Sequence, residues 1–409
     1  MKQTPISALL AGGLRLGAAA DSTCATVEVR YLAANGDDGN DGKSPETAWR
    51  SVARLNAGLP AGGTARLRRG DVFYGTLEVK GGIDRDHRTA VTSFGEGPKP
   101  VISCTKNLRD DPGIWDSKFP NYNIWSMDLT NPANYTGVDS ADANPGFLLV
   151  DGAVMPWKRF SCYDVNGQWD FAGENGRLHV YSTDNPALLS HDIRVAVREN
   201  GVTLHSHTVV SDLAVRAVGA HGMVAGWRAT PTTDIRISDC VFENIGGSEL
   251  VNYSPEIRVR YGNGVEFGSN CSDAVVERCE FRGVYDVAFT MQGYPSAIGW
   301  KDISMRDCLV ADCSQAFEIW CRKAPPGMGF ENCSFTGNRT VNVGGGWGAL
   351  TRPNRQCATP LLVYYTETDT MDIDVSGNTF ENAPRGLIFK RGGIDTLPPG
   401  YRIHDNTVR

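Results

Sequence analysis

Ile235-Arg236-Ile237-Ser238-Asp239-Cys240-Val241-Phe242 is followed by Val275-Val276-Glu277-Arg278-Cys279-Glu280-Phe281 and by Ile303-Ser304-Met305-Arg306-Asp307-Cys308-Leu309-Val310. The phrase returns as Phe330-Glu331-Asn332-Cys333-Ser334-Phe335, Val375-Ser376-Gly377-Asn378-Thr379-Phe380 and Ile403-His404-Asp405-Asn406-Thr407-Val408. Its central Cys or Asn recurs after 39, 29, 25, 45 and 28 residues. Apolar positions alternate with polar ones, and no helical period survives, so each phrase reads as a short strand and a turn. Short strands at a loose repeat of about 25 residues, with irregular insertions, mark a solenoid built of strands. The expected fold is all-β: a parallel β-helix.

Working outward, the segment 195–409 holds the main coils, resuming at Val195 through Val202-Thr203-Leu204 and Val209-Val210. Residues 106–194 break the repeat. They carry Trp115, Trp125, Trp157 and Trp169 among short strands and polar turns, and read as a β-rich insertion packed on the solenoid. Residues 21–105 read as an N-terminal cap and first coils. There Ser44-Pro45 resembles a helix start, and Trp49, Val52 and Leu55 lie at helical spacing, which predicts a short helix over Glu46–Asn56 covering the open end. Residues 1–20, with Lys2, an apolar stretch and Ala18-Ala19-Ala20, read as a secretory signal, so a secreted or periplasmic location is expected. The last phrase breaks off at Arg409 without a capping segment.

Of the 409 residues, 46 are Gly and 21 Pro, which suits many turns without indicating low complexity. The net charge is −7 and no basic stripe is present, so no nucleic-acid partner is expected. No apolar run reaches membrane-spanning length. A monomer is expected. Cys240, Cys279, Cys308 and Cys333 occupy equivalent positions and should stack as small, buried, free thiols. Cys24, Cys104, Cys162 and Cys357 lie off the ladder and can pair in an oxidising compartment.

The stretch Tyr31-Leu32-Ala33-Ala34-Asn35-Gly36-Asp37-Asp38-Gly39-Asn40-Asp41-Gly42-Lys43-Ser44-Pro45-Glu46-Thr47-Ala48-Trp49 resembles the N-terminal cap of bacterial proteins in the pectate-lyase-like superfamily, and Gly70-Asp71-Val72-Phe73 adds to the likeness. Gly262-Asn263-Gly264-Val265-Glu266-Phe267-Gly268, Val284-Tyr285-Asp286, Gln292-Gly293 and Phe317-Glu318-Ile319-Trp320 look like phrases of β-helical carbohydrate-active enzymes in that group. The resemblance covers most of residues 27–409. It implies a right-handed parallel β-helix acting on a polysaccharide or oligosaccharide. The superfamily spans hydrolases, lyases, epimerases and esterases, so it does not select a reaction.

The residues narrow the choice. Ten residues after Cys279, Cys308 and Asn378 fall Phe289, Glu318 and Ile388, and Val265-Glu266-Phe267 reads as the matching strand one coil before Phe289. With their apolar neighbours inside, Glu266 and Glu318 face outward on one sheet, two coils and hence about 9.6 Å apart along the stack. Inverting glycosidases separate their carboxyls by about 6.5–9.5 Å. Asp286 on the intervening coil completes an acidic trio. Glu318, with the less polar surroundings, is the expected acid, and Glu266 or Asp286 the base. An outward Glu on a solenoid is otherwise a solvated surface residue. His221, Tyr285, Gln292, Trp320, Trp347, Arg352, Tyr364, Tyr365 and Lys390 are the expected substrate-binding residues, with Gly344-Gly345-Gly346-Trp347-Gly348 as a flexible cleft wall.

A uronate lyase or epimerase is the alternative, with Lys390, Arg391, Arg352, Tyr285 and Tyr365 as its bases or cations. A non-catalytic carbohydrate-binding solenoid is the third reading. No metal or cofactor is expected. Asp37, Asp38, Asn40 and Asp41 have the look of a calcium loop but lack its closing Glu, and read better as turn caps. His205 and His207 share a strand face without a third ligand, and no CxxC or Cys/His cluster is visible in the spacing.

Overall fold

The computed structural model describes residues 27–227, 229–250, 258–353, 355–391 and 396–409. The leader over 1–20, Cys24, Asn354 and the Gly392-Gly393 pair lie outside them.

Three parallel sheets of 10, 9 and 8 strands run the length of the molecule as the faces of a right-handed parallel β-helix. One coil shows the plan. Cys271–Glu277 lies in the first sheet, Glu280–Val284 in the second and Val287–Gly293 in the third. Each strand pairs in parallel with its counterpart one coil on, as Val275 does with Ser304 and Phe281 with Val310. Alternation sends Val276, Phe281 and Phe289 into one continuous core. Rings stack from coil to coil, with Phe242 and Phe281 centred 4.5 Å apart and Trp300 and Phe330 4.7 Å apart.

The first turn carries a hydrogen-bonded ladder. The backbone N–H of Cys240 donates to the Cys279 Sγ (3.4 Å), and that of Cys279 to the Cys308 Sγ (3.3 Å). The series then changes chemistry. Cys308 N–H donates to Asn338 Oδ1 (3.0 Å), Asn338 N–H to Asn378 Oδ1 (2.8 Å) and Asn378 N–H to Asn406 Oδ1 (2.9 Å). Asn338, not Cys333, is therefore the fourth rung. Cys333 lies within the strand Gly329–Thr336, paired with Ile373. Its phrase copies the pattern, but the turn comes later, at Gly337-Asn338. None of the ten described cysteines is in a disulfide, and all are buried.

The N-terminal helix is shorter and later than its spacing predicts. It spans Val52–Gly58, with Ser51 as N-cap accepting from Arg54 N–H. Trp49 is not helical. It bridges to Leu32, and its N–H donates to Tyr31 O. Sheet extension thus wins over helix at Trp49, while Val52, Leu55 and Leu59 pack onto the first coil. In the acidic loop, Asp37, Asp38 and Asp41 each accept from backbone N–H groups, Asp38 from both Arg50 and Ser51.

Between the early and late coils the chain builds two antiparallel sheets, of five and four strands, over their own apolar core. Phe147 of this insertion packs with Ala217 and Trp347 of the solenoid.

Candidate active site

The third sheet positions the acids. Glu266 pairs in register with Thr290, and Thr290 with Glu318. Phe289 pairs with Phe317, so the ten-residue count slips by one at this coil. The slip leaves the central expectation intact: Glu266 and Glu318 share one outward column, two coils apart. Neither is solvated, however. They are 1% and 7% exposed, because loops from neighbouring coils rise over this face. The result is a cleft of about 770 Å³ that holds Glu266, Asp286 and Glu318 together.

The three carboxyls differ sharply in their partners. Glu266 is saturated. Trp227 Nε1–H donates to its Oε1, while Asn263 (2.5 Å) and Gln292 (2.9 Å) donate to Oε2, and His221 Nδ1 stands 3.1 Å from the same oxygen. Asp286 accepts from Arg352 Nη1 at 2.6 Å, and the same Nη1 donates to Gln315 Oε1 at 3.2 Å. Burial works against the Arg352 charge, but Asp286 and Tyr285 outweigh it and raise its pKa above the ordinary value. Glu318 takes no hydrogen bond from the described residues. Burial holds its carboxyl well above the usual carboxylate range. The charge of Asp286 pushes the same way, Arg352 opposes it, and Glu266 adds a lesser push.

The expected binding residues divide. His221, Tyr285, Gln292, Trp320, Arg352, Tyr364 and Tyr365 all line the cleft. Tyr285 is only 1% exposed, its ring wedged beside the guanidinium of Arg260 at 4.6 Å, so it supports the wall. Tyr364 and Tyr365 both reach the cleft because the pairing with Ile319 and Trp320 shifts by a residue there, a bulge that re-aims one side chain.

Trp347 and Lys390 do not line the cleft. Trp347 starts a short helix, Trp347–Thr351, donates to Gly283 O at 2.9 Å and packs against Phe147 and Tyr285. It pins the insertion to the solenoid. The glycines around it serve close approach, not mobility. A Cβ on Gly346 would stand 1.7 Å from Asp312 O, and one on Gly348 2.3 Å from Tyr285 O. Lys390 pairs with Val363 in the core-facing row, and Arg391, the next residue, takes the cleft side.

Trp227, Arg260, Tyr261, Asn263 and Tyr294 line the cleft without having been expected there. Trp227 and Tyr294 are half-exposed aromatics at strand exits, and Tyr294 meets Trp320 edge-on at 5.0 Å. An aromatic just beyond a strand of the acid-bearing sheet was the available signal. Arg260 donates to Gly247 O (2.7 Å) and Gly146 O (3.0 Å), so it holds the wall against the insertion. His205 and His207 lie elsewhere, beside Glu78 and Asp234 respectively.

No family model matches the chain, and no curated protein matches it. Among solved structures it is similar to a complex of XylC with xylose, at 12% identity and TM-score 0.39, covering 89% of this chain and 70% of that one. It is similar to a GH136 lacto-N-biosidase from Eubacterium ramulus, at 12% identity and TM-score 0.37, covering 93% and 67%. A rhamnogalacturonan lyase matches at 10% identity and TM-score 0.34, covering 87% and 74%.

Proposed function

We propose that this chain is a glycoside hydrolase acting on an oligosaccharide or polysaccharide, with Glu318 as general acid and Asp286 as general base. The observation that carries the reading is the contrast between two carboxyls in one cleft. Glu318 is buried, free of hydrogen bonds from described residues, and burial holds its pKa well above the ordinary carboxylate value. Asp286 is held beside the Arg352 cation. A carboxylic acid and a carboxylate facing one cleft can protonate a leaving oxygen and activate water. Trp227, Tyr294, Trp320 and Tyr365 supply the flat apolar faces on which sugar rings stack.

An inverting course fits the placement. Val287 pairs with Gln315, so Asp286 lies one row before that pair and Glu318 three rows beyond it. Four rows separate the two backbones by about 13 Å along the strands. Backbones that far apart leave room for an interposed water, as an inverting pair needs, and do not call for the about 5 Å of a retaining pair. Glu266, with every donor around it engaged, orients Trp227 and Gln292 at the cleft wall.

Elimination is less well supported. Lys390 faces away, and burial pushes the Tyr285 phenol up, away from what a base near neutral pH requires. We place the action in the periplasm or outside the cell, with the chain a monomer and no bound cofactor needed. A reducing-end assay over a glycan panel, with ultraviolet detection of unsaturated products, tests the reading. New reducing ends without unsaturation, and a product of inverted anomeric configuration by NMR, are expected. Unsaturated product would make the protein a lyase. Retention on a glycan column without any product would make it a binding protein.

A further inference from the structure

A second cluster of reactive side chains lies in the insertion, and none of its members lines the cleft. The strands Phe171–Glu174 and Arg177–Tyr181 form a hairpin across Asn175-Gly176, both with positive φ. Ala172 pairs with His179 and Glu174 with Arg177, so Glu174 and His179 are diagonal neighbours on one face. Over that face folds the short turn Cys162–Asp164, whose Ser161 cap accepts from Tyr163 N–H. Cys162 N–H donates to Glu174 Oε1 at 3.1 Å. The Cys162 thiol, a Glu174 carboxylate oxygen and a His179 ring nitrogen lie within 4.8 Å of one another.

His179 makes this more than a chance grouping. It is 1% exposed, and its Nδ1 has no hydrogen-bond partner among the described residues. A buried polar atom left so is costly, and one explanation is a ligand that it meets. Cys162 is 2% exposed, and the packing around the group, with Ile124, Val165 and Ala172, is apolar.

We propose that Cys162, Glu174 and His179 bind a divalent transition-metal ion, zinc by preference, which clamps the Cys162–Asp164 turn onto the hairpin. One thiolate, one imidazole and one carboxylate are a ligand set that zinc accepts, with a fourth position left for water. A thiolate and a carboxylate neutralise the dication, so the ion enters an apolar site without net charge. Zinc ligands stand about 3.5 Å from one another, so from within 4.8 Å the three groups need draw in by about 1.3 Å at most. The Cys162 thiol proton leaves to solvent on binding.

The test uses the full chain, purified under reducing conditions, stripped with chelator and titrated with Co²⁺ and then Zn²⁺. One Co²⁺ per chain, a thiolate-to-cobalt charge-transfer band and displacement by Zn²⁺ are expected. Cys162→Ser should abolish the band, and Glu174→Gln should weaken Co²⁺ affinity by about tenfold or more, since even outer-shell partners are worth that much. Glu174→Gln keeps the oxygen that accepts from Cys162 N–H, so it remains informative if the serine variant does not fold. Absence of a charge-transfer band in the wild type, or Co²⁺ affinity unchanged in Glu174→Gln, overturns the proposal. Glycan cleavage is not a readout, so the result stands apart from the fate of the cleft.

Discussion

Glu266 and Glu318 stand in the same column of the same sheet, yet one is tied down by donors on both oxygens and the other meets none among the described residues. The strand pattern treats them alike. What separates them is cover. Trp227 reaches Glu266 from the preceding coil, Asn263 from its own and Gln292 from the next, whereas the rim beside Glu318 is aromatic and no described side chain donates to its carboxyl. A solenoid thus repeats its backbone and varies its chemistry through the turns and loops, which decide whether an outward carboxyl becomes a held acceptor or an acid.

The sharpest way to break this contrast is Glu318→Gln. An amide cannot deliver a proton, so kcat should fall about 10²- to 10⁴-fold while KM stays close to that of the wild type. Steady-state kinetics on a cleaved glycan measures it. Retention of turnover would return Glu318 to the rank of a buried wall residue.

Asp286→Asn asks which carboxylate works with Glu318. Turnover should fall about 10²-fold. The change also removes the carboxylate that faces the buried Arg352 guanidinium, so the fold should lose about 1–3 kcal/mol, read by urea melts. The double variant Asp286→Asn with Arg352→Gln should recover stability without recovering turnover. A double variant that regains turnover would shift the base role to Glu266.

The alternation around Glu266 and Glu318 put both acids on one face before any coordinates, because a period of two leaves little freedom once the apolar neighbours are inside. Cys240, Cys279 and Cys308 were legible for the same reason. The fourth rung was not. Phe330-Glu331-Asn332-Cys333 imitates the phrase inside a strand, and only pairing shows that the turn waits for Asn338. Trp347 misled because glycines around an aromatic suggest a mobile loop, while here they admit two backbones that a Cβ would strike. The donors on Glu266 were beyond reach, since the path of a loop over a coil is set by tertiary packing and not by any period. Cys162, Glu174 and His179 meet only through hairpin register and a turn folded over it, so spacing could not announce them.

Glu266→Gln sharpens the contrast from the other end. Its oxygens orient Trp227 and Gln292, so the variant should raise KM by about tenfold, equivalent to about 1.4 kcal/mol, with kcat within about threefold of wild type. Trp227 is half exposed and donates directly to Glu266, so its emission should shift as well. A loss of kcat as deep as that of Glu318→Gln would mean that both ends of the column do chemistry.

The smallest effect is on stability, and its sign follows from which state holds the proton. In the folded chain Glu318 keeps its proton well above the ordinary 4.5, because burial and then Asp286 oppose its charge. The folded state therefore binds more protons than the unfolded state between the two values, and stability falls as pH rises through that window. Glutamine cannot ionise, so Glu318→Gln is free of this loss. Urea melts from pH 4 to pH 9 should show the variant gaining on the wild type as pH increases, with the two differing least in acid. In the same window the wild type should lose kcat as its acid deprotonates. Parallel pH curves for variant and wild type would mean that Glu318 ionises as an ordinary surface carboxylate does, and the difference from Glu266 would then be one of hydrogen bonding alone.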